Sequence, residues 1–211
     1  MPTPVITITR QYGSGGSEVA SLVAATLTWD LVDNQFVDEV ARRAGLPVHE
    51  VALLDERAPR LLERVARAMA LASPELFLSA ATEPAGAGDE GTIVRMTERI
   101  IEEAAAHGRS VLVGRGAQAL LARRPDALHV YTVASTPWRI AHASAQLSLD
   151  RPSAARLLED TDARRDAYVR THYGRSRADL TTYDAVLNTE RLGIEGAAAL
   201  IVAEARRRRW D

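Results

Sequence analysis

The sequence contains no cysteine and no lysine; all 26 of its basic residues are arginine. The first absence excludes disulfides and thiolate metal sites and fits a reducing, cytoplasmic setting. The second restricts any chemistry on phosphate, because cationic help must come from arginine, a metal ion or backbone amides. Arginine suits that work, since its planar fork matches phosphate oxygens. No apolar run approaches the roughly 20 residues that cross a bilayer. The amino end lacks the basic start and apolar centre of a signal peptide. A net charge of −2 argues against nucleic acid as the main partner. The histidines, at positions 49, 107, 129, 142 and 172, lack metal-ligand spacing. No G-x-S-x-G elbow occurs, which weakens hydrolase readings.

What is present suits one globular domain with a real core and a mobile subregion: 211 residues, 46% of them hydrophobic and 26% charged. The organising stretch is residues 4–20. Val5 to Thr9 is an unbroken β-branched run, the pattern of a strand. It breaks at Gly13-Ser14-Gly15-Gly16, and helical periodicity starts at Val19. A strand that runs through a glycine turn into a helix aims backbone N–H groups and the positive helix end at one point, a geometry that captures phosphate. Against the phosphate-loop pattern G-x-x-x-x-G-K-[ST], residues 10–17 keep Gly15 and the magnesium-binding hydroxyl, Ser17. Arg10 replaces the first glycine and Gly16 the lysine. Pattern alone leaves phosphate binding and a plain glycine turn both open.

The rest of the chain alternates strands with helices. Residues 28–33, 110–116, 127–133 and 184–188 read as strands. Helices are expected at 36–44, 48–54, 57–71, 92–106, 152–172 and 194–208, with helix plus loop at 136–150 and a flexible loop at 82–91. That order implies right-handed βαβ units and a parallel sheet with helices on both faces. Ligands of such sheets sit beyond the carboxyl ends of the strands. Residues 10–16, 33–38, 114–115 and 136–139 all fall there, so four polar strand ends converge on one rim.

With the strand ends placed, four segments stand out: residues 8–16 (ITRQYGSGG), 113–117 (VGRGA), 160–168 (DTDARRDAY) and 183–195 (YDAVLNTERLGIE). They resemble the bacterial cytidylate kinase-like family, which is similar to true cytidylate kinases within the P-loop nucleoside monophosphate kinases. The resemblance covers nearly the whole chain in order. It implies an α/β three-layer sandwich with a five-stranded parallel sheet, an ATP and Mg²⁺ site, and a mobile lid at 136–175. It also implies a single domain over 1–211, with a core of 1–56 and 92–211 and an acceptor-side insertion at 57–91. That insertion would cover the acceptor site or form a homodimer contact.

Carried over residue by residue, the resemblance puts Gly13, Ser14, Gly15, Gly16 and Ser17 around the phosphates of ATP, with Ser17 on the metal. Arg115 matches an arginine that holds the acceptor's phosphate, and Asp162 an aspartate that reads cytosine. Arg165 matches an arginine near the phosphates, and Arg139 a lid arginine on the transferring phosphoryl group. The departures from true cytidylate kinases are Glu39 and Leu158 at arginine positions, Gly116 at a cytosine-contacting aspartate, and His142 at a second lid arginine. A carboxylate facing a phosphate repels it, so donor-side features survive better than acceptor-side ones.

The residues also carry expectations of their own. Arg10, by its position at the loop's opening, would supply part of the missing lysine's charge. Asp38, and similarly Asp33, would bind an acceptor hydroxyl or act as a base. The activity expected is transfer of the γ-phosphoryl of ATP to a small-molecule acceptor, with cytidine monophosphate (CMP) the default by resemblance. Two alternatives stay open: a kinase for a non-nucleotide alcohol, and a nucleotide-binding regulator with little turnover.

Overall fold

A computed structural model of the chain describes residues 3–33 and 90–210. Five strands, β1 (Val5–Arg10), β2 (Asp30–Val32), β3 (Ser110–Val113), β4 (Ala127–Val133) and β5 (Ala185–Asn188), form one sheet in the order β2-β3-β1-β4-β5. Every pairing is parallel. The central strand reads as it does because both of its faces are covered, which suits a β-branched run. Ile8 pairs with Val113 on one side and Val130 on the other.

Two helical layers follow from the alternation of side chains along the strands. Ile6, Ile8, Val111, Val113, Leu128 and Val130 pack on one face with α1 (Gly16–Leu27) and α6 (Thr189–Arg207), through residues such as Val19, Val23, Ala197 and Ile201. Val5, Leu112 and Ala127 pack on the other with α2 (Glu90–His107) and α3 (Ala117–Leu120), through Ile100, Ile101, Ala104 and Ala117. The expected three-layer sandwich with a parallel sheet is the observed fold. The remaining helices, α4 (Thr136–Leu147) and α5 (Arg151–Tyr173), meet through Ala143, Ala154 and Leu158, with Tyr12 of the glycine loop against them. Leu158, read in the sequence as standing at an arginine position of true cytidylate kinases, is thus a core residue at 1% exposure.

Local chemistry sets the helix ends. Asp150 caps α5 by accepting from the Ser153 amide at 3.1 Å. Gly174, in the left-handed conformation with φ 61°, closes the same helix. The closing helix begins at Thr189, capped by Asn188, rather than at 194. Gly193, with φ 71° and ψ 165°, separates that first turn from the periodic remainder. The turn is too short to carry a period, and so are α3 and the 3₁₀ turn at Leu180–Thr182. Expected helices at 36–44, 48–54 and 57–71, together with Asp38 and Glu39, lie outside the described residues. Among the described residues, no helix is long and apolar enough to cross a membrane.

His129 lies in β4 at 7% exposure, with its Nδ1 2.7 Å from Thr7 Oγ1. Burial holds its pKa below the ordinary 6.5, an effect that outweighs Asp184 nearby. The folded state therefore resists a proton that the unfolded chain accepts, and stability is lost as pH falls through 6.5 toward the folded value. Urea unfolding from pH 8 to pH 5 is expected to show this loss. His129→Asn should flatten the slope in that window.

Candidate active site

The glycine loop is fastened from behind. Ser14, fully buried, donates its hydroxyl to the Gln11 carbonyl at 2.8 Å, and its Oγ lies 3.0 Å from Thr132 Oγ1. Thr189 donates to the Ser14 carbonyl at 2.7 Å, so the first residue of α6 anchors the loop. Gln11 accepts from the Ala134 amide at 3.1 Å through its side chain. The front is left for a ligand. Gly15, the N-cap of α1, has φ 72° and no side-chain cap, and the first amides of a helix lack intrahelical partners. The Ser17 hydroxyl is in the exposed first turn. α4, α5 and α6 begin with side-chain caps and α1 does not. An uncapped, glycine-led helix start with a hydroxyl in its first turn fits a magnesium-bound triphosphate.

Gly16 has a steric reason. A Cβ there would lie 2.5 Å from Thr132 Oγ1 and 2.6 Å from Arg10 Cβ. The stem of Arg10 thus runs past the backbone at the point where a lysine side chain would begin. Arg10 is 8% exposed and extends into a cavity of about 210 Å³ beyond β1 and β3. Arg115, Arg164, Arg165 and Arg177 line the same cavity, with Tyr168 and Tyr183 among its walls.

The electrostatics divide these arginines. Burial and the neighbouring Arg165 push the Arg10 pKa down to about 9, with Arg177 and Arg115 adding to the effect and Asp33 opposing it. Burial also lowers Arg115, and burial followed by Arg177 lowers Arg165. Arg177 differs: burial works against its charge, but Tyr131, Asp166 and Asp162 outweigh it, and its pKa goes up. Arg177 is therefore the compensated member. It donates to the Arg10 carbonyl at 3.3 Å, as Arg165 does at 3.2 Å, and pairs with Asp166 at 3.3 Å. Both guanidiniums thereby clamp the end of β1.

Asp162 is the hub between α4, α5 and the loop. Its Oδ1 accepts from the Tyr12 amide at 2.9 Å and from Arg177 at 3.4 Å, and its Oδ2 from Arg139 at 2.7 Å. Arg139 also donates to the Tyr12 carbonyl at 3.2 Å, and its own carbonyl lies 2.7 Å from where a Cβ on Gly13 would stand. The structure thus gathers Arg139, Asp162 and Arg165 around Tyr12 of the glycine loop. Arg165 stands over the Tyr12 ring at 5.4 Å, completing the contact. His142 stacks on Trp138 at 4.8 Å and lies 3.4 Å from Glu18.

On the opposite rim, Gly114, Arg115 and Gly116 have φ of 75°, 50° and 69° in succession. A left-handed conformation at a non-glycine residue is costly, and here it turns the Arg115 guanidinium over the Tyr168 ring at 5.9 Å. A Cβ on Gly116 would lie 2.2 Å from Tyr173 Cε2, so the tyrosine ring fills the space that any side chain at this position would need. Gly116→Asp is expected to lower Tm by several degrees without raising affinity for CMP, as calorimetry and titration would show. Two cavity arginines escaped the sequence reading, Arg164 and Arg177. Arg177 follows the Gly174 helix end in an irregular segment with no periodicity, so nothing in the pattern separates it from a solvated arginine.

The sequence profile of the cytidylate kinase-like family matches residues 5–191. No curated protein matches in sequence. Among solved structures, an uncharacterized protein from Eubacterium ventriosum is similar at a TM-score of 0.69 and 19% identity, over 97% of this chain and 99% of that one. A shikimate kinase from Bacteroides thetaiotaomicron follows at 0.52 and 13% identity, over 96% and 98%. The shikimate kinase from Acinetobacter baumannii, in complex with shikimate, gives 0.51 and 14%, over 99% and 96%. At these identities the likeness is one of fold, that of a P-loop kinase. The profile spans most of the chain, and the chain belongs to the cytidylate kinase-like family.

Proposed function

We propose that this protein is an ATP-dependent phosphotransferase that moves the γ-phosphoryl group to a hydroxyl of a small molecule seated in the arginine-lined cavity. One observation carries the reading: arginines from the ends of β1 and β3 and from α5 meet in a cavity next to an uncapped, glycine-led helix. Phosphoryl transfer depends on positioning and charge stabilisation more than on covalent help. Amides of residues 13–17 hold the donor's phosphates, and the Ser17 hydroxyl holds the metal. Mg²⁺, when bound, neutralises charge on the phosphate oxygens. Arg10 and Arg165 face the transferring group from the cavity side and take the place of the absent lysine. Arg139 and Asp162 act behind the loop, fixing Tyr12 and with it the loop's curvature.

Asp33 follows β2 at the same carboxyl rim, close enough to Arg10 to oppose the depression of its pKa. It orients and deprotonates the acceptor hydroxyl in this account. Asp33→Asn is expected to lower kcat by about 10²–10⁴-fold, the usual range for a lost general base, with donor affinity unchanged in a titration.

CMP as acceptor is the second reading, favoured by the family profile. Incubation with ATP, Mg²⁺ and a panel of nucleoside monophosphates, sugar phosphates and hydroxy acids, followed through ADP release, separates the two. Turnover with CMP above all other acceptors supports the nucleotide reading. Turnover confined to a non-nucleotide supports the first, and binding of ATP without turnover on any acceptor supports the regulator alternative.

A further inference from the structure

The far end of the cavity, away from the glycine loop, has its own chemistry. Arg164 and Tyr168 are four residues apart on α5 and therefore share a helix face. Arg115 reaches the same ring from the β3 turn, with its guanidinium 5.9 Å from the ring centre. Arg164 and Arg115 therefore flank one aromatic surface from two elements, and both line the cavity. Arg10 stands at the other end, with its stem against Gly16 of the loop.

No Asp or Glu among the described residues lines this cavity. Of the carboxylates around it, Asp162 is committed to Arg139 and the Tyr12 amide and Asp166 to Arg177, Glu98 acts on Tyr168 and Tyr173, and Asp33 acts on Arg10, toward which the acceptor hydroxyl faces. Reading a cytosine ring needs a side chain that accepts from its amino group. The Gly116 position is closed by Tyr173, and both Asp162 oxygens already accept hydrogen bonds. Guanidiniums on an aromatic wall suit an anion carried on a compact carbon skeleton. The cavity's 210 Å³ is also below the roughly 300–1,000 Å³ typical of pockets for drug-sized ligands.

We infer that the acceptor is a non-nucleotide alcohol carrying a phosphate or carboxylate group, which Arg115 and Arg164 grip against Tyr168 while its hydroxyl faces Arg10 and the loop. This rests on the kinase reading for the donor half of the cleft. It assigns Arg164 an acceptor-binding role, and it leaves the choice between phosphate and carboxylate to measurement.

Calorimetric titration of the full chain tests this directly, with ribose 5-phosphate and quinate as charged probes and ribose and inositol as their neutral counterparts. CMP and the magnesium complex of a non-hydrolysable ATP analogue are measured alongside. One charged probe is expected to bind while its neutral counterpart does not, and which one binds identifies the anion. CMP should bind no more tightly than ribose 5-phosphate. Arg164→Glu, at an exposed position where the fold tolerates change, should weaken the charged probe by about tenfold or more. Its affinity for the ATP analogue should match that of the wild type.

Equal binding of charged and neutral probes would overturn the inference. So would tenfold tighter binding of CMP than of ribose 5-phosphate, or an unaltered affinity in Arg164→Glu. Absence of binding by either charged probe, with the ATP analogue bound normally, would overturn it and leave the kinase reading intact. Charged probes that bind to a chain unable to bind the ATP analogue would uphold the anion site and sink the kinase reading instead.

Discussion

Arg10→Gln is expected to cut turnover by about 10²–10³-fold, the cost of removing one pre-placed charge from a transition state, while raising Tm by a few degrees. The opposite signs are the informative part. Arg10 is buried beside Arg165, Arg177 and Arg115, and its pKa is pushed down to about 9. A base whose folded pKa lies below its unfolded value costs stability whenever the pH is below both values. At neutral pH the fold therefore carries the full penalty, and it would be relieved only as pH rises through 9 and beyond. Asp33 recovers part of it. A residue held at such a cost belongs to binding or catalysis rather than to packing. Glutamine keeps the stem that contacts Gly16 and removes the charge. Scanning calorimetry and ADP release on the same preparation read both effects; a fall in Tm with turnover intact would assign Arg10 to the core.

Gly16→Lys, which restores the phosphate-loop pattern in the sequence, is expected to abolish rather than improve activity. The added Cβ meets Thr132 Oγ1 at 2.5 Å and Arg10 Cβ at 2.6 Å. Thr132 is fully buried in β4 and lies 3.0 Å from Ser14 Oγ, so it cannot yield without loosening the loop. Overpacking of this kind costs about 1–3 kcal/mol, which for a chain of this size lowers Tm by several degrees. Arg10 and a lysine at 16 compete for one space, and this chain uses the arginine. The double variant Arg10→Gly with Gly16→Lys removes only one of the two clashes, since Thr132 Oγ1 still stands 2.5 Å from the added Cβ, and is expected to stay inactive.

The contrast between strands and site shows what sequence reasoning reaches. Val5 to Thr9, Ser110 to Val113 and Ala127 to Val133 were legible because both faces of a central parallel strand are covered, which leaves a dense apolar and β-branched signal. The convergence of strand ends then followed from topology alone. What was not legible is where a long arginine points. Asp162 and Arg165 share a helix face as their spacing indicates, yet only coordinates show Asp162 joining Tyr12, Arg139 and Arg177. Gly16 and Gly116 look like lost functional residues in the sequence. In the fold each is a point of close approach, one to Arg10 and Thr132, the other to Tyr173. Sequence patterns record the missing side chain and not the neighbour that displaced it.

The account depends most on the front of residues 13–17 holding a nucleotide's phosphates. Calorimetric titration of the full chain with the magnesium complex of a non-hydrolysable ATP analogue tests that claim, with Gly15→Val compared in parallel. Gly15 has φ 72°, and a side chain there would press on Ile194 at 3.1 Å, so the variant distorts the loop locally. Saturable binding to the wild type, weakened at least about tenfold in a folded Gly15→Val, is the predicted result. Equal binding to the two proteins, or none to the wild type, would contradict it.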